Sequence, residues 1–305
     1  MGIVFKNPLI FSYTSEDEKK YRQSLVDYLN KNFTDKYSES ELMVESNSHV
    51  VYKVTEKNNN KKTVLKFFRE KARRDEEYFA LKYWHDCSIS VPKIISIEEI
   101  NLGEQSTFVT YMEHIEGENM LSKFTLGNAY LNDEYGTSIA NVLKKIDIDF
   151  SSDSTHFSEC LYTPSYKKIV TLPNFEDELK KSFELYDLWR KNGKTRLIHG
   201  DFRDGNMINN MGKITIIDPG PALGHIATDF AYYIARSYIS NFTNHLKSFI
   251  RTFLNKRSDL DLIRAVALLE CSRLYHSFNA KNNIRQREKI IEMMNLIVLE
   301  KMLAN

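Results

Sequence analysis

Residues 197–208 read LIHGDFRDGNMI, with a histidine, two aspartates, an arginine and an asparagine set between apolar flanks. No other stretch constrains the fold as tightly. The flanks favour burial, but carboxylates and a guanidinium resist it unless they find partners, so the chain must pass here from an interior strand into a turn that meets other charged or polar groups. A few residues on, NNMG lies between MI and ITII. That pattern predicts a small hairpin with one polar loop at each end, the second reading DPGP.

Around this stretch the chain changes character once. TSEDEKKYRQSLVDYLNKNF opens with the capping-box pattern Ser15-x-x-Glu18 and spaces Tyr21, Leu25, Tyr28 and Leu29 on one helical face. SHVVYKVTE and KKTVLKFFR are β-branched and aromatic runs separated by KNNN, which predicts a hairpin. REKARRDEEYFALKYWHD follows as a helix with Phe79, Leu81, Tyr83 and Trp84 available for a packed side. VPKIISIEEI and STFVTYMEHI, split by NLGEQ, are two further strands. Beyond Gly117, SIANVLKKI, FEDELKKSFELYDLWRKNG and three long segments after Thr228 read as helices. The expected architecture is α+β and bilobal, with a helix and a β-rich lobe over 1–112 and a helical lobe over 113–305. The polar hairpin is expected at the seam, where clefts form.

A chain of 305 residues with 42% hydrophobic content can build this core, and 42 Lys and Arg against 41 Asp and Glu leave a formal charge of +1. That balance points to no nucleic-acid partner and no membrane partner. No apolar run reaches the ~18 residues of a spanning helix, and MGIVFKNPLIF lacks a basic n-region and a small-residue cleavage site, so a cytoplasmic protein is expected. Cys87, Cys160 and Cys271 lie far apart without CxxC spacing, which predicts reduced, buried thiols.

The polar residues have a chemistry in common. A magnesium ion takes hard oxygen ligands, one or two from protein with phosphates and water completing its octahedron, and the Asn206 amide and Asp218 carboxylate meet that need. Asp201 is left as a base. The order His199-x-Asp201-x-x-x-x-Asn206, then Asp218-Pro219-Gly220 after a short strand pair, is the order of a kinase catalytic loop and metal loop. Phosphates also need a cation from the other lobe, and Lys66 in TVLKFF sits mid-strand among apolar residues, where a helix carboxylate would offset its desolvation. Glu76 and Glu77 are both placed to do so, with Glu77 favoured. Taken singly, Asp204-Gly205 is a turn former and His199 a structural histidine.

These features, with EEYFALKYW, VPKI, FVTYMEHIEGENM, IHGDFRDGN and ITIIDPGPALGHIATDFAYYI in that order, make the sequence resemble the aminoglycoside phosphotransferase and choline kinase superfamily, which has a protein-kinase-like fold. The resemblance runs from about residue 40 to 240. It implies transfer of the γ-phosphate of ATP or GTP, with Mg2+, to a hydroxyl of a small molecule: an aminoglycoside, another antibiotic or a hydroxylated metabolite. It further implies that Asp201 orients and deprotonates the acceptor, Asn206 and Asp218 hold magnesium, Lys66 contacts the α- and β-phosphates and Glu77 positions Lys66. The backbone of Thr110, Tyr111 and Met112 would meet adenine. Arg203 would neutralise charge on the transferred group, and Asp229 in G-x-x-x-x-D-F would brace the catalytic loop.

Two departures stand out. The phosphate-covering segment ESNSHVVYK has no glycine, so Ser46, Asn47 and Ser48 would have to supply the hydroxyls and amides there. Pro219 replaces the aromatic of a DFG turn, and no APE-like segment follows Asp218, which argues against a regulated protein kinase. A catalytically silent nucleotide-binding relative and a choline- or ethanolamine-type kinase are the competing readings. The latter would draw on Tyr162, Tyr166, Trp189 and Tyr232 for a cation cage. From Asn241 to Asn305 eleven basic residues face six acidic ones, unlike the acidic surface that polycationic acceptors favour, but the acidic stretches EHIEGENM and LNDEYG can supply one, so a hydroxylated metabolite or lightly charged antibiotic stands level with an aminoglycoside.

Overall fold

The computed structural model describes residues 5, 15–45, 49–121, 133–150, 157, 169–192, 196–240, 243–280 and 283–298. Ser15 caps α1 (Glu16–Asn32) by accepting the Glu18 N–H at 3.2 Å, as its position predicts. The Glu18 side chain does not complete the capping box. It is drawn instead to Arg22 at 2.8 Å and Arg69 at 2.9 Å, two charged partners that outweigh one backbone N–H.

The chain divides into two compact units, Met1–Glu116 and Gly117–Asn305. In the first, β1 (Tyr37–Glu45), β2 (His49–Glu56), β3 (Lys62–Phe68), β4 (Ile94–Asn101) and β5 (Ser106–Glu113) form an antiparallel sheet in the order β1-β2-β3-β5-β4, and α2 (Lys71–Asp86) follows β3 in sequence. Alternation along the strands sorts the two faces. Tyr52 and Val54 of β2, Leu65 and Phe67 of β3 and Val109 and Tyr111 of β5 pack with Leu25 and Leu29 of α1. Lys66, one residue out of phase, points to the opposite face. There α2 buries Arg74, Glu77, Leu81 and Trp84 at helical spacing, with Phe79 and Tyr83 only partly covered.

In the second unit β6 (Glu118–Asn119) joins the hairpin β8 (Met207–Asn210) and β9 (Lys213–Ile216), and β7 (Arg196–Ile198) pairs with β10 (Ala222–Gly224). The NNMG turn has Met211 at φ 50° and Gly212 at φ 89°, the two positive angles of a type I′ turn. The helices are α3 (Asp133–Ile146), α4 (Glu176–Asn192), α5 (Ala227–Ile239), α6 (Leu246–Leu254), α7 (Leu260–Ala280) and α8 (Ile284–Val298). Buried Leu262, Ile263 and every residue from Ala265 to Ser272 make α7 the centre against which α4, α5 and α8 pack, while α3 packs on α6.

Cys87 and Cys271 are free thiols; Cys271 is buried, but Cys87 follows the last turn of α2 and is exposed, contrary to expectation. Cys160 lies outside the described residues. Among the described residues no helix is long and apolar enough to cross a membrane.

Candidate active site

The β7 strand delivers the chain into the loop His199–Arg203, and a single 3-10 turn, Asp204–Asn206, leads out of it into β8. Asp201 is the hub. Its Oδ2 accepts Arg203 Nε at 3.0 Å and Asn206 Nδ2 at 2.8 Å, and its Oδ1 accepts the Tyr232 hydroxyl of α5 at 2.8 Å. The side chain keeps 30% of its exposure, so it stays open to solvent.

Asn206 Nδ2 also donates to the Asp201 carbonyl at 2.9 Å and the Asp218 carbonyl at 3.4 Å. This use of the amide nitrogen leaves Oδ1 accepting no hydrogen bond among the described residues. Asp218 stands just past β9 with φ 53°, a left-handed conformation that aspartate tolerates better than most residues. Two main-chain bonds tie the two loops together: Ile217 N–H to Asn206 O and Gly220 N–H to His199 O, both 2.9 Å. One amide oxygen and one carboxylate make a hard, two-donor set of the kind magnesium takes beside phosphate oxygens.

Behind the loop, Asp229 Oδ2 accepts the His199 N–H at 2.6 Å and Oδ1 the Gly200 N–H at 2.8 Å. Its complete burial pushes the carboxyl up to about 7. His199 is buried and neutral, its pKa lowered to about 4 by desolvation; Nδ1 faces the Asp201 N–H at 3.3 Å and Nε2 the Ile217 carbonyl at 3.1 Å. Both residues hold backbone, and both are buried.

Asp204 forms the turn expected of it and has a further task. Its Oδ1 accepts the hydroxyls of Tyr135 at 2.7 Å and Tyr233 at 2.8 Å, and the Tyr233 hydroxyl also bonds His245 Nε2 at 2.8 Å. Burial raises the Asp204 carboxyl to about 6 and lowers His245 to about 4. This network anchors the turn that carries Asn206 to α3, α5 and the start of α6. Nothing in the sequence around Tyr135 or His245 announces it. For α5 a signal existed, because Asp229, Tyr232, Tyr233 and Arg236 fall at i, i+3, i+4 and i+7 and share one broad helical face.

In the first unit Lys66 Nζ and Glu77 Oε2 meet at 2.5 Å, both buried, while Glu76 turns towards Arg73 at 3.7 Å. Thr110–Met112 lie inside β5, paired on one edge with Lys66, Leu65 and Val64 of β3 and on the other with Ile97, Ser96 and Ile94 of β4. Both ladders claim their backbone, so these three residues are not available as an adenine edge. The first main chain beyond the paired strand is 114–116. Tyr111 turns its ring into the α1 core and donates its hydroxyl to Glu98 at 3.0 Å. Ser46, Asn47 and Ser48 lie outside the described residues, as do Tyr162 and Tyr166. Trp189 packs edge-on against His225 at 4.9 Å, and Tyr232 is committed to Asp201, so these two do not form a cage in this structure.

A family model described as the phosphotransferase enzyme family matches residues 44–265. No curated protein matches at the level of sequence. Among solved structures, a thermostable mutant of the aminoglycoside phosphotransferase APH(4)-Ia in ternary complex with AMP-PNP and hygromycin B superposes with a TM-score of 0.63 at 14% identity, covering 90% of this chain and 98% of that one. The Plasmodium vivax ethanolamine kinase gives 0.59 at 16% identity, with 95% and 93% covered. The spectinomycin phosphotransferase APH(9)-Ia, in complex with ADP and spectinomycin, gives 0.58 at 15% identity, with 92% and 98% covered. At these identities the likeness is one of fold.

Proposed function

This chain belongs to the phosphotransferase enzyme family, and we propose that it moves the γ-phosphoryl group of ATP or GTP to a hydroxyl of a small molecule with Mg2+ bound at Asn206 and Asp218. The observation that carries this reading is the state of Asp201. One of its oxygens is held by Arg203 and Asn206 while the other already receives a hydroxyl, that of Tyr232.

A carboxylate so held is a positioned acceptor for an O–H proton. The acceptor hydroxyl donates to Asp201, its oxygen forms the new bond to the γ-phosphorus, the bond from that phosphorus to the β,γ-bridging oxygen breaks, and the alcohol proton passes to the carboxylate. Arg203 stays beside Asp201 and lies against the charge on the transferred group. Bound magnesium would neutralise phosphate charge and fix the triphosphate's orientation. In the first unit, Lys66 held by Glu77 is the cation for the α- and β-phosphates, and residues 114–116 take the adenine contact expected earlier of Thr110–Met112. Ser46, Asn47 and Ser48 remain the candidates to cover the phosphates.

The test is Asp201→Asn, assayed for nucleotide consumption and for transfer to a panel of hydroxylated antibiotics and metabolites. Asparagine keeps the shape and most hydrogen bonds but cannot take the proton, so turnover should fall by about 10²- to 10⁴-fold with the melting temperature retained. Undiminished turnover would remove Asp201 from the role.

A further inference from the structure

The acceptor side of Asp201 has a chemical character of its own. Tyr232 donates to Oδ1 at 2.8 Å, and the guanidinium of Arg236, one helical turn later on α5, lies 5.8 Å from the centre of the Tyr232 ring. Arg236 is half-buried and makes no ion pair among the described residues. Arg203 occupies the other oxygen of Asp201. One guanidinium therefore touches the base, and a second lies against the tyrosine that bonds it. The carboxylates packed on the same loop are already engaged, Asp204 by Tyr135 and Tyr233 and Asp229 by the amides of His199 and Gly200. The ammonium groups of a polycation would meet arginine here.

We propose that Tyr232 and Arg236 form the floor of the acceptor subsite, and that the acceptor is an alcohol bearing an anionic group. Its hydroxyl takes the place of the Tyr232 phenol on Asp201 Oδ1 while the anion meets Arg236. This rests on the phosphotransfer reading above and names the class of substrate for it. The phenol is a stand-in: it presents to the base the same O–H that the acceptor presents. A half-buried guanidinium with no carboxylate among the described residues is costly to keep, and a carboxylate or phosphate on the acceptor offsets that cost with charge-assisted hydrogen bonds. Residues four apart on a helix are neighbours on its face, so one small molecule, a hydroxy acid or a sugar phosphate, can present its hydroxyl and its anion to both.

The experiment measures magnesium-dependent nucleotide consumption by the full chain against three probe sets. These are glycerate, gluconate and glycerol 3-phosphate; glycerol and sorbitol; choline, ethanolamine and kanamycin. The anionic set should act at the lowest concentration, as phosphorylated acceptor or as competitor of hydrolysis. Arg236→Ala should raise that concentration by about tenfold or more with little change in maximal rate, and Arg236→Lys should recover part of it. Tyr232→Phe, which removes the phenol to be displaced, should move it in the opposite direction. Preferred use of choline, ethanolamine or kanamycin, indifference to all three sets, or an anionic preference untouched by Arg236→Ala would each overturn the subsite while leaving phosphotransfer in place. Absence of nucleotide turnover under every condition, in protein that melts cooperatively, would instead remove the phosphotransfer reading and the subsite with it.

Discussion

A Cβ built on Gly200 would lie 1.9 Å from the carbonyl oxygen of Gly220, closer than any side chain can stand to a backbone atom. Gly200 also has φ 75° and hands its N–H to Asp229, so sterics and conformation both require glycine there. The loop bearing Asp201 and the loop bearing Asp218 are thus pressed together through two glycines. Gly200→Ala must force them apart, at a cost of about 3 kcal/mol in stability. Phosphotransfer should fall by about 100-fold or more, because a displacement of this order ruins alignment. Thermal melting and turnover, measured on the same protein, check both parts.

The Lys66–Glu77 pair separates stability from function. Both groups are buried, so removing one strips the other of its opposite charge in the interior: Glu77→Gln or Lys66→Met should each cost about 3 kcal/mol or more. The double variant Lys66→Met/Glu77→Leu, which buries no charge, should recover most of that stability in a denaturant titration. Its turnover should remain as low as that of the single lysine variant, since the cation for the phosphates is still missing. Recovery of turnover with stability would make the pair a fold element only.

What the sequence made legible follows from where the physics is local. The hairpin at 207–216 was readable because the polar NNMG divides two apolar runs and Gly212 readily takes one of the turn's positive φ angles, although Met211 holds the other against its own preference. Lys66 was readable because a lysine amid TVLKFF demands a carboxylate, and Glu77 lies at the helical phase that brings it to the sheet. The edge strand β1 was not, since YSESELMVE lacks a run of β-branched or aromatic residues and is held by pairing with β2. The backbone commitment of Thr110–Met112 also escaped, because a strand's neighbours are set by topology rather than by its own residues. Tyr135 meets Asp204 directly and His245 reaches it through the Tyr233 hydroxyl, from separate segments of the chain, a network no spacing rule encodes.

The buried His245 gives a pH test whose sign can be worked out. Its folded pKa of about 4 lies below the ordinary value of 6.5 because burial disfavours the imidazolium. The stability it confers is therefore complete above about 6.5 and is lost as pH falls towards 4. Asp204, raised to about 6, acts in the opposite sense over nearly the same range, since the folded state binds its proton more tightly. The two partly cancel in the wild-type curve, but Asp204 is common to both proteins in a comparison with His245→Gln. The variant should be less stable at pH 7, and the deficit should shrink by roughly 3 kcal/mol between pH 6.5 and 4. A deficit independent of pH would mean that His245 is solvated in the fold.

Magnesium dependence should be visible without any acceptor. Asn206 Oδ1 accepts no hydrogen bond among the described residues and Asp218 sits at φ 53°, two hard donors on loops tied by the 2.9 Å bond from Ile217 N–H to Asn206 O. Two protein oxygens alone hold magnesium weakly, so the ion should bind chiefly with a triphosphate whose oxygens complete its shell. ATP or GTP with magnesium, at about 100 times its dissociation constant, should stabilise the fold by about 2.7 kcal/mol. Removing the metal with EDTA should abolish most of that gain, and magnesium alone should produce almost none. Asp218→Asn keeps the left-handed backbone, because asparagine tolerates it as aspartate does, yet it removes the anionic ligand. Its nucleotide shift should therefore shrink to the metal-free value while its unliganded melting temperature changes little. A full nucleotide shift in Asp218→Asn, or one insensitive to EDTA, would place the metal elsewhere or dispense with it.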